Sequence, residues 1–378
     1  MIQMITSGHS HGKYLVGIIE GIPKGLPIDE DYINNYLKRR QMGYGRGKRM
    51  NIEHDKVEIV AGVWKGETTG APISLLIENR GARPQEDEPP RTIPRPGHAD
   101  FAGAIKYEYT EDFNPIIERS SARETAMRVA LSAITHRLTD ELGIEIVGYV
   151  KGIGEVDTPF LFIPPDEIQR RRDKSPLFMI DRKKEKECIK LIDIAKKEGY
   201  TLGGRVEVVA FGVPPGLGSF STYKKRLDAR LSEVLMSIPT VKAIQIGDGV
   251  ESSYLPGNRV MDMFMIGAGR VKRPTNRAGG IEGGISNGGF IRVTLYSKPI
   301  PTQPNPLPSF DFRTMRDVYA PYIRSDLVVV PALSVIAETL VSYVIADAFL
   351  ERFGGDTISM IKEHYEMWRE KWKDILFL

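Results

Sequence analysis

The run VVVPALSVIAETLVSYVIADAFL, residues 328–350, constrains the fold more than any other stretch. It is long and apolar on every side, so as a helix it has no face to present to water. Glu338 and Asp347 interrupt it, and Pro331 stands near its start. Those residues argue for a helix buried in a protein core over one that spans a membrane. The remainder of the chain is cut short everywhere by 37 glycines and 25 prolines in 378 residues, which implies many brief elements and a strand-rich α/β or α+β fold. KVEIVAGVW, APISLLIEN, IEIVGYV, RVEVVAFGV, VKAIQIGDG and FIRVTLYSK alternate as strands do. Helical spacing appears over residues 29–40, 121–142, 181–198, 223–236 and 333–353. A glycine-rich turn runs into a strand at GETTGAPISLLIEN and again at GGISNGGFIRVTLY. The expectation is one domain over residues 1–378, with this echo as the sign of two similar halves.

The stretch ERSSARETAMRVALSAITHRL poses a charge problem. Ser121 with Glu124 three residues later matches a capping box and sets a helix start at Ser121. Arg119 and Arg123 flank that start, where cations oppose the helix dipole unless an anion sits among them. A second cationic stretch, KRRQMGYGRGKRMN, sets Lys38, Arg39, Arg40, Arg46, Lys48 and Arg49 among glycines. The planar fork of arginine suits phosphate and carboxylate, so a clamp for a small polyanion competes here with a solvated face. A net charge of only +3, with Tyr44 the one aromatic in the loop, speaks against nucleic acid.

Histidines mark two further loops. His11 stands in GHSHGK and His98 in RPGHAD, at the end of a segment with five prolines that is too long for a plain connection. Turn histidines are often structural; two of them in glycine-bracketed loops near arginines point to acid–base work. His9 and His11 are spaced poorly for a shared metal ion, and no cysteine assists them, so no metal is expected. TNRAGGIEGGISNGGF lacks the GxGxxG of a dinucleotide-binding turn and reads as close backbone approach to a ligand or as tight turns. Arg324 and Asp326 in YIRSDLVVVP would by default form a surface ion pair. The single cysteine, Cys188, allows no intrachain disulfide, and MIQMITSGHSHGK carries no secretory pattern. A reducing cytoplasm is the expected setting, with no membrane association.

In this order and spacing, GHSHG, RRQMGYGRGKRM, GETTGAPISLLIEN, RPGHAD, ERSSARETA, IGDG, NRAGGIEGGISNG, SKPIPT and RSDLVVVPALSVIAE resemble the chorismate synthase family over about residues 7–340. The resemblance implies a β-α-β sandwich core, with antiparallel-rich sheets flanking central helices, and a homotetramer. It implies a lyase that eliminates phosphate and a ring proton, 1,4-anti, from 5-enolpyruvylshikimate 3-phosphate. Reduced FMN is required without net redox change, NAD(P)H being only an indirect reductant and an external flavin reductase the supply.

By the same resemblance His11 protonates the reduced flavin near its carbonyl, and His98 protonates the leaving phosphate. Asp326 lies near flavin N5 and helps deprotonate the ring. Arg40, Arg46 and Arg123, with Ser10 and Ser121, hold the substrate's anionic groups; Arg40 and Arg46 are alternatively assigned to NADP. Flavin falls to Arg119, Ser120, Ser121, Pro239, Thr240, Gly283, Lys298, Pro299, Ile300, Pro301, Thr302 and Arg324. His9 stands where the family often has an acid, and the Lys298 turn keeps only Thr302 of two or three usual hydroxyls. Two other readings use the same residues: a nucleic-acid-binding protein built on the basic loop, and a net flavin oxidoreductase.

Overall fold

The computed structural model describes residues 2–47, 54–85, 88–267, 269–322 and 326–375. Two antiparallel sheets enclose helices. The first sheet orders its strands Gln3–Gly8, Tyr14–Glu20, Ile73–Glu78, Val57–Ala61. The second orders Val241–Ile246, Ile291–Ser297, Gly204–Phe211, Glu145–Ile153, Val156–Asp157. Every pairing within them is antiparallel. The register aligns Leu15 with Ile77 and Ile19 with Ile73, so one face of the first sheet is a row of buried aliphatics while Val16 and Ile18 point outward.

Helix α1 (Glu30–Gln41) starts at Asp29, whose side chain accepts from Tyr32 N. Two shorter helices follow, α2 (Asp100–Tyr107) and α3 (Asn114–Ser120). Helix α4 (Thr125–Glu141) lies on the first sheet, and Gly17 permits the contact: a Cβ there would stand 2.5 Å from Met127 Sδ. The apolar run forms the Val330–Phe353 helix, packed against α4 on one side and the second sheet on the other. Of its most apolar stretch, 89% of the residues are buried, which makes it a core helix as its composition required. One continuous hydrophobic cluster links both sheets through these helices. Buried Cys188 belongs to it, and burial pushes its thiol up to about 11, the behaviour of a small core residue.

The expected helix over residues 121–142 is corrected at its start. Ser121 has extended backbone, Ala122–Glu124 forms a 3-10 turn, and α4 begins at Thr125. The capping box does not form. Ser121 Oγ accepts from Arg123 N at 3.3 Å, and the Glu124 carboxylate accepts from Thr6 Oγ1 at 2.8 Å. Tertiary partners for both side chains replace the local reciprocal pair. The sequence patterns also passed over the two N-terminal strands, whose alternation is blurred by Gly8 and the polar residues of the 9–13 turn.

One ion cluster crosses this core. Glu338, only 2% exposed, accepts from Arg39 Nη1 and Nη2 at 2.7 and 3.0 Å, from Arg172 Nη1 at 2.9 Å and from Gly148 N at 2.7 Å. Burial by itself would raise the Glu338 carboxyl; the Arg39 and Arg172 guanidiniums outweigh it and hold the group at about 2. Glu338→Gln removes the buried carboxylate that Arg39 and Arg172 share, leaving Arg172 only its contact with the exposed Asp173, and is expected to cost about 3–5 kcal/mol at neutral pH. Because the folded value lies below the ordinary 4.5, this contribution is complete above that value and fades as pH falls toward 2. Urea unfolding should therefore show the gap between wild type and variant narrowing in acid; equal stability at neutral pH would contradict the assignment.

Candidate active site

The break between α3 and α4 organises the first half of the site. The turn joining the first two strands folds over it: Ser10 N donates to Glu118 O at 3.1 Å, and Ser10 Oγ to Ser121 Oγ at 3.1 Å. Gly8 makes that turn possible, since its φ is +119° and a Cβ would stand 2.6 Å from Tyr14 O. His11 is held twice by one carboxylate, N to Glu118 Oε2 at 2.7 Å and Nδ1 to Glu118 Oε1 at 2.6 Å. Burial would raise the Glu118 carboxyl, but the two His11 bonds prevail and lower it. With Nδ1 donating to Glu118, proton exchange with a ligand falls to Nε2.

Beneath this turn lie two arginines, each 6% exposed. Arg123 donates to Asn79 Oδ1 and Asp55 Oδ2, both at 2.7 Å. Arg40 reaches from the end of α1 to Thr125 Oγ1 and Ala122 O, with Asp55 at 3.8 Å. Asn79 also donates to His9 O and Gly12 O, so it ties Arg123 to the histidine turn. The His9 ring itself bonds Gln85 Nε2 at 2.9 Å. Ser10, His11, Arg40, Ser121 and Arg123 thus share one hydrogen-bonded network.

His98 belongs to a second group. Its Nδ1 donates to Asp100 Oδ1 at 2.7 Å, while Arg95 packs on the ring and forks onto the same carboxylate at 2.7 and 2.9 Å. Asp100 is fully buried; burial opposes its charge, but bonds from Arg95 and His98 hold its carboxyl well below the ordinary range. The loop docks on the Lys298 turn through Lys298 Nζ, which donates to Gly97 O. Ile300 O in that turn accepts from Thr201 Oγ1 at 2.7 Å, and Thr302 is buried beside Pro301, Arg95 and Pro96. Lys298 N donates to Thr240 O at 2.9 Å.

A cleft of about 420 Å³ opens beside Ser121, within the size range of small-molecule sites. Arg119, Ser120, Ser121 and Pro239 line it, together with Met4, Thr6, Glu124, Arg128 and Ser237. Ser121 connects the cleft to His11, and Pro239–Thr240 connects it to the Lys298 turn and hence to His98. Guanidinium, hydroxyl and short apolar surfaces together suit a phosphorylated planar ligand such as a flavin nucleotide.

Asp326 stands with Arg46 instead. Its Oδ2 is 3.0 Å from Arg46 Nη1, its Oδ1 accepts from Gly47 N at 2.6 Å, and Leu327 N donates to Gly45 O. Gly283 turns at the start of the Leu227–Met236 helix, where Gly284 O accepts from Leu227 N, and is not among the cleft's lining residues. Arg324, Lys48 and Arg49 lie outside the described residues. Sequence reasoning missed Asn79, Asp55, Glu118, Arg95, Asp100 and Arg128. Arg95 and Asp100, which bracket His98 within RPGHAD, were the local signals; the others work only across the fold. Asn79→Ala removes the acceptor of a buried guanidinium and two turn contacts, with an expected loss of about 1–3 kcal/mol in urea unfolding; an unchanged midpoint would contradict this keystone role.

A profile of the family described as chorismate synthase matches residues 2–350. The chain is 44% identical over 376 residues to a chorismate synthase of Carboxydothermus hydrogenoformans, covering 97% of this chain and 98% of the relative. It is 45% identical over 365 residues to one of Thermotoga maritima, with 97% and 96% covered. A crystal structure of chorismate synthase superposes with a TM-score of 0.82 at 36% identity, covering 99% of both chains. That likeness agrees with the expected α+β sandwich. Neither a nucleic-acid-binding module nor a net flavin oxidoreductase finds support in these matches. On sequence and fold alike, the chain belongs to the chorismate synthase family.

Proposed function

We propose that the protein performs its family's reaction along the band of contacts running from His11 through the Ser121 cleft to His98. The activity is that of a chorismate synthase, a carbon–oxygen lyase that acts on a small-molecule substrate and depends on flavin. In the finer reading, 5-enolpyruvylshikimate 3-phosphate loses phosphate and a ring proton by 1,4-anti elimination, and the flavin is reduced FMN. The observation that carries the site is the continuity of that band. Two histidines far apart in sequence, each oriented through Nδ1 by a carboxylate, are tied to one arginine-lined cleft, His11 through Ser10 and Ser121 and His98 through the Lys298 turn and Thr240.

Reduced flavin, when bound, supplies an electron-rich ring system beside the substrate. The chain's own groups do the rest. Arg119, Ser120, Ser121, Pro239, Thr240 and the turn from Lys298 through Pro299, Ile300 and Pro301 to Thr302 would hold the flavin, with Gly283 and Arg324 as further candidates. The buried guanidiniums of Arg40 and Arg123, with Arg46, Ser10 and Ser121, would bind the phosphate and carboxylates of the substrate. Arg40 and Arg46 would equally suit the phosphate of an NADP-type reductant. His98 Nε2 would give its proton to the departing phosphate, with Asp100 and Arg95 fixing the ring. His11 would hold a proton at Nε2 toward the flavin carbonyl edge. Asp326, anchored by Arg46 and Gly47 N, would receive the ring proton.

The same reading makes the chain one domain of two similar halves, assembled as a homotetramer in the cytoplasm and supplied with reduced flavin by a separate reductase. His98→Ala is expected to lower single-turnover chorismate formation by about 10²–10⁴-fold while flavin and substrate still bind. Anaerobic stopped-flow absorbance, with phosphate release followed in parallel, measures this. Near-full turnover in the variant would remove His98 from the chemistry.

A further inference from the structure

The cleft holds more positive charge than the flavin residues implied by the resemblance account for. Arg119 and Arg128 both line it, and among the described residues each guanidinium bonds only neutral oxygens. Arg119 Nη2 donates to Thr6 O at 3.2 Å and to Thr6 Oγ1 at 3.4 Å. Arg128 Nη2 donates to Ser237 Oγ at 2.6 Å, and its Nη1 to Ser237 O at 3.5 Å. Glu124 stands four residues before Arg128, the spacing of a helical ion pair, yet its carboxylate accepts from Thr6 Oγ1. Two guanidiniums and one carboxylate leave the cleft with an excess of one positive charge. Burial makes the Arg128 cation less comfortable than in water; Glu124 offsets part of this, and the neighbouring Arg119 adds a smaller repulsion. A dianion between the guanidiniums would relieve both effects.

The Lys298 turn leaves such a role open. Ser297 Oγ is spent on Thr240 Oγ1 and Lys298 O, and the Lys298 ammonium donates to Gly97 O in the His98 loop. That turn braces the histidine loop, and it contains a single hydroxyl, Thr302, which is buried. Arg128 is held half-buried on α4 at the cleft wall, bonded to Ser237, with the planar fork that suits a phosphomonoester.

We propose that Arg128 is a further phosphate-binding residue of this cleft, acting with Arg119 on the phosphate of the flavin and so discriminating FMN from riboflavin. The proposal rests on the flavin reading given above. Its test is flavin binding without turnover: fluorescence titration of the full-length protein with FMN and with riboflavin under identical conditions. Wild type should prefer FMN. Arg128→Met should weaken FMN by about ten- to a hundredfold and riboflavin by much less, collapsing the preference. Arg128→Gln, which can still donate to Ser237, guards against a simple packing defect and should collapse it equally. If both flavins weaken together, or if either folded variant keeps the wild-type preference, Arg128 is a packing residue and the proposal fails. Should wild type bind neither flavin, the flavin reading itself falls.

Discussion

The buried carboxylate of Glu338 is the interaction on which the site's geometry depends. It joins α1 through Arg39, the Pro165–Asp173 helix through Arg172 and the second sheet through Gly148 N. Arg40 and the Arg46 loop continue from the end of α1, and Asp326 lies just ahead of the helix that carries Glu338. One charge cluster therefore sets the relative placement of Arg40, Arg46 and Asp326. Such a cluster adds little net stability over a well-packed apolar alternative, since desolvation consumes most of the Coulombic gain. Its contribution here is positional, since both guanidiniums and the Gly148 amide converge on one carboxylate.

The second constraint is the interruption between α3 and α4. A continuous helix would satisfy its own backbone and leave Ser121 on an ordinary surface. Extended backbone at Ser121 instead opens a place where the His11 turn, Arg40 and Arg123 converge. The carbonyl of Ala122 at this break accepts from Arg40, so a group normally consumed by the helix ladder binds a site arginine. This resolves the apparent conflict of cations with a helix start: the guanidiniums meet Asp55, Asn79 and carbonyl oxygens, and Arg119 faces the cleft.

Legibility followed the range of the interactions. The helices that start near Asp29 and Asp181 and the strands of the second sheet show their periodicity within a few residues, so pattern reading found them. His11, His98 and the crowded arginines stood out because glycines and cations are unusual in those positions. Asn79 and Glu118 carry no such mark. Each is an ordinary residue at the end of an ordinary element, and each matters through partners 44 or more positions away. The capping box at Ser121 misled for the same reason, since local pairing was available and a tertiary partner, Thr6, took Glu124.

What the sequence determined alone was the class of the core and the inventory of its chemistry. An apolar run with no polar face must be covered on all sides, and short alternating strands supply the covering sheets. Glycine-bracketed histidines and arginine clusters name the kinds of groups available. Only the tertiary structure decided which of them meet. Ser121 meets both Ser10 of the His11 turn and the cleft, Lys298 braces the His98 loop, and Arg128 turns from its helical neighbour to Ser237. The physical reason is that hydrogen bonds and ion pairs act over a few ångströms, and the chain brings distant groups within that reach only after its apolar faces have packed.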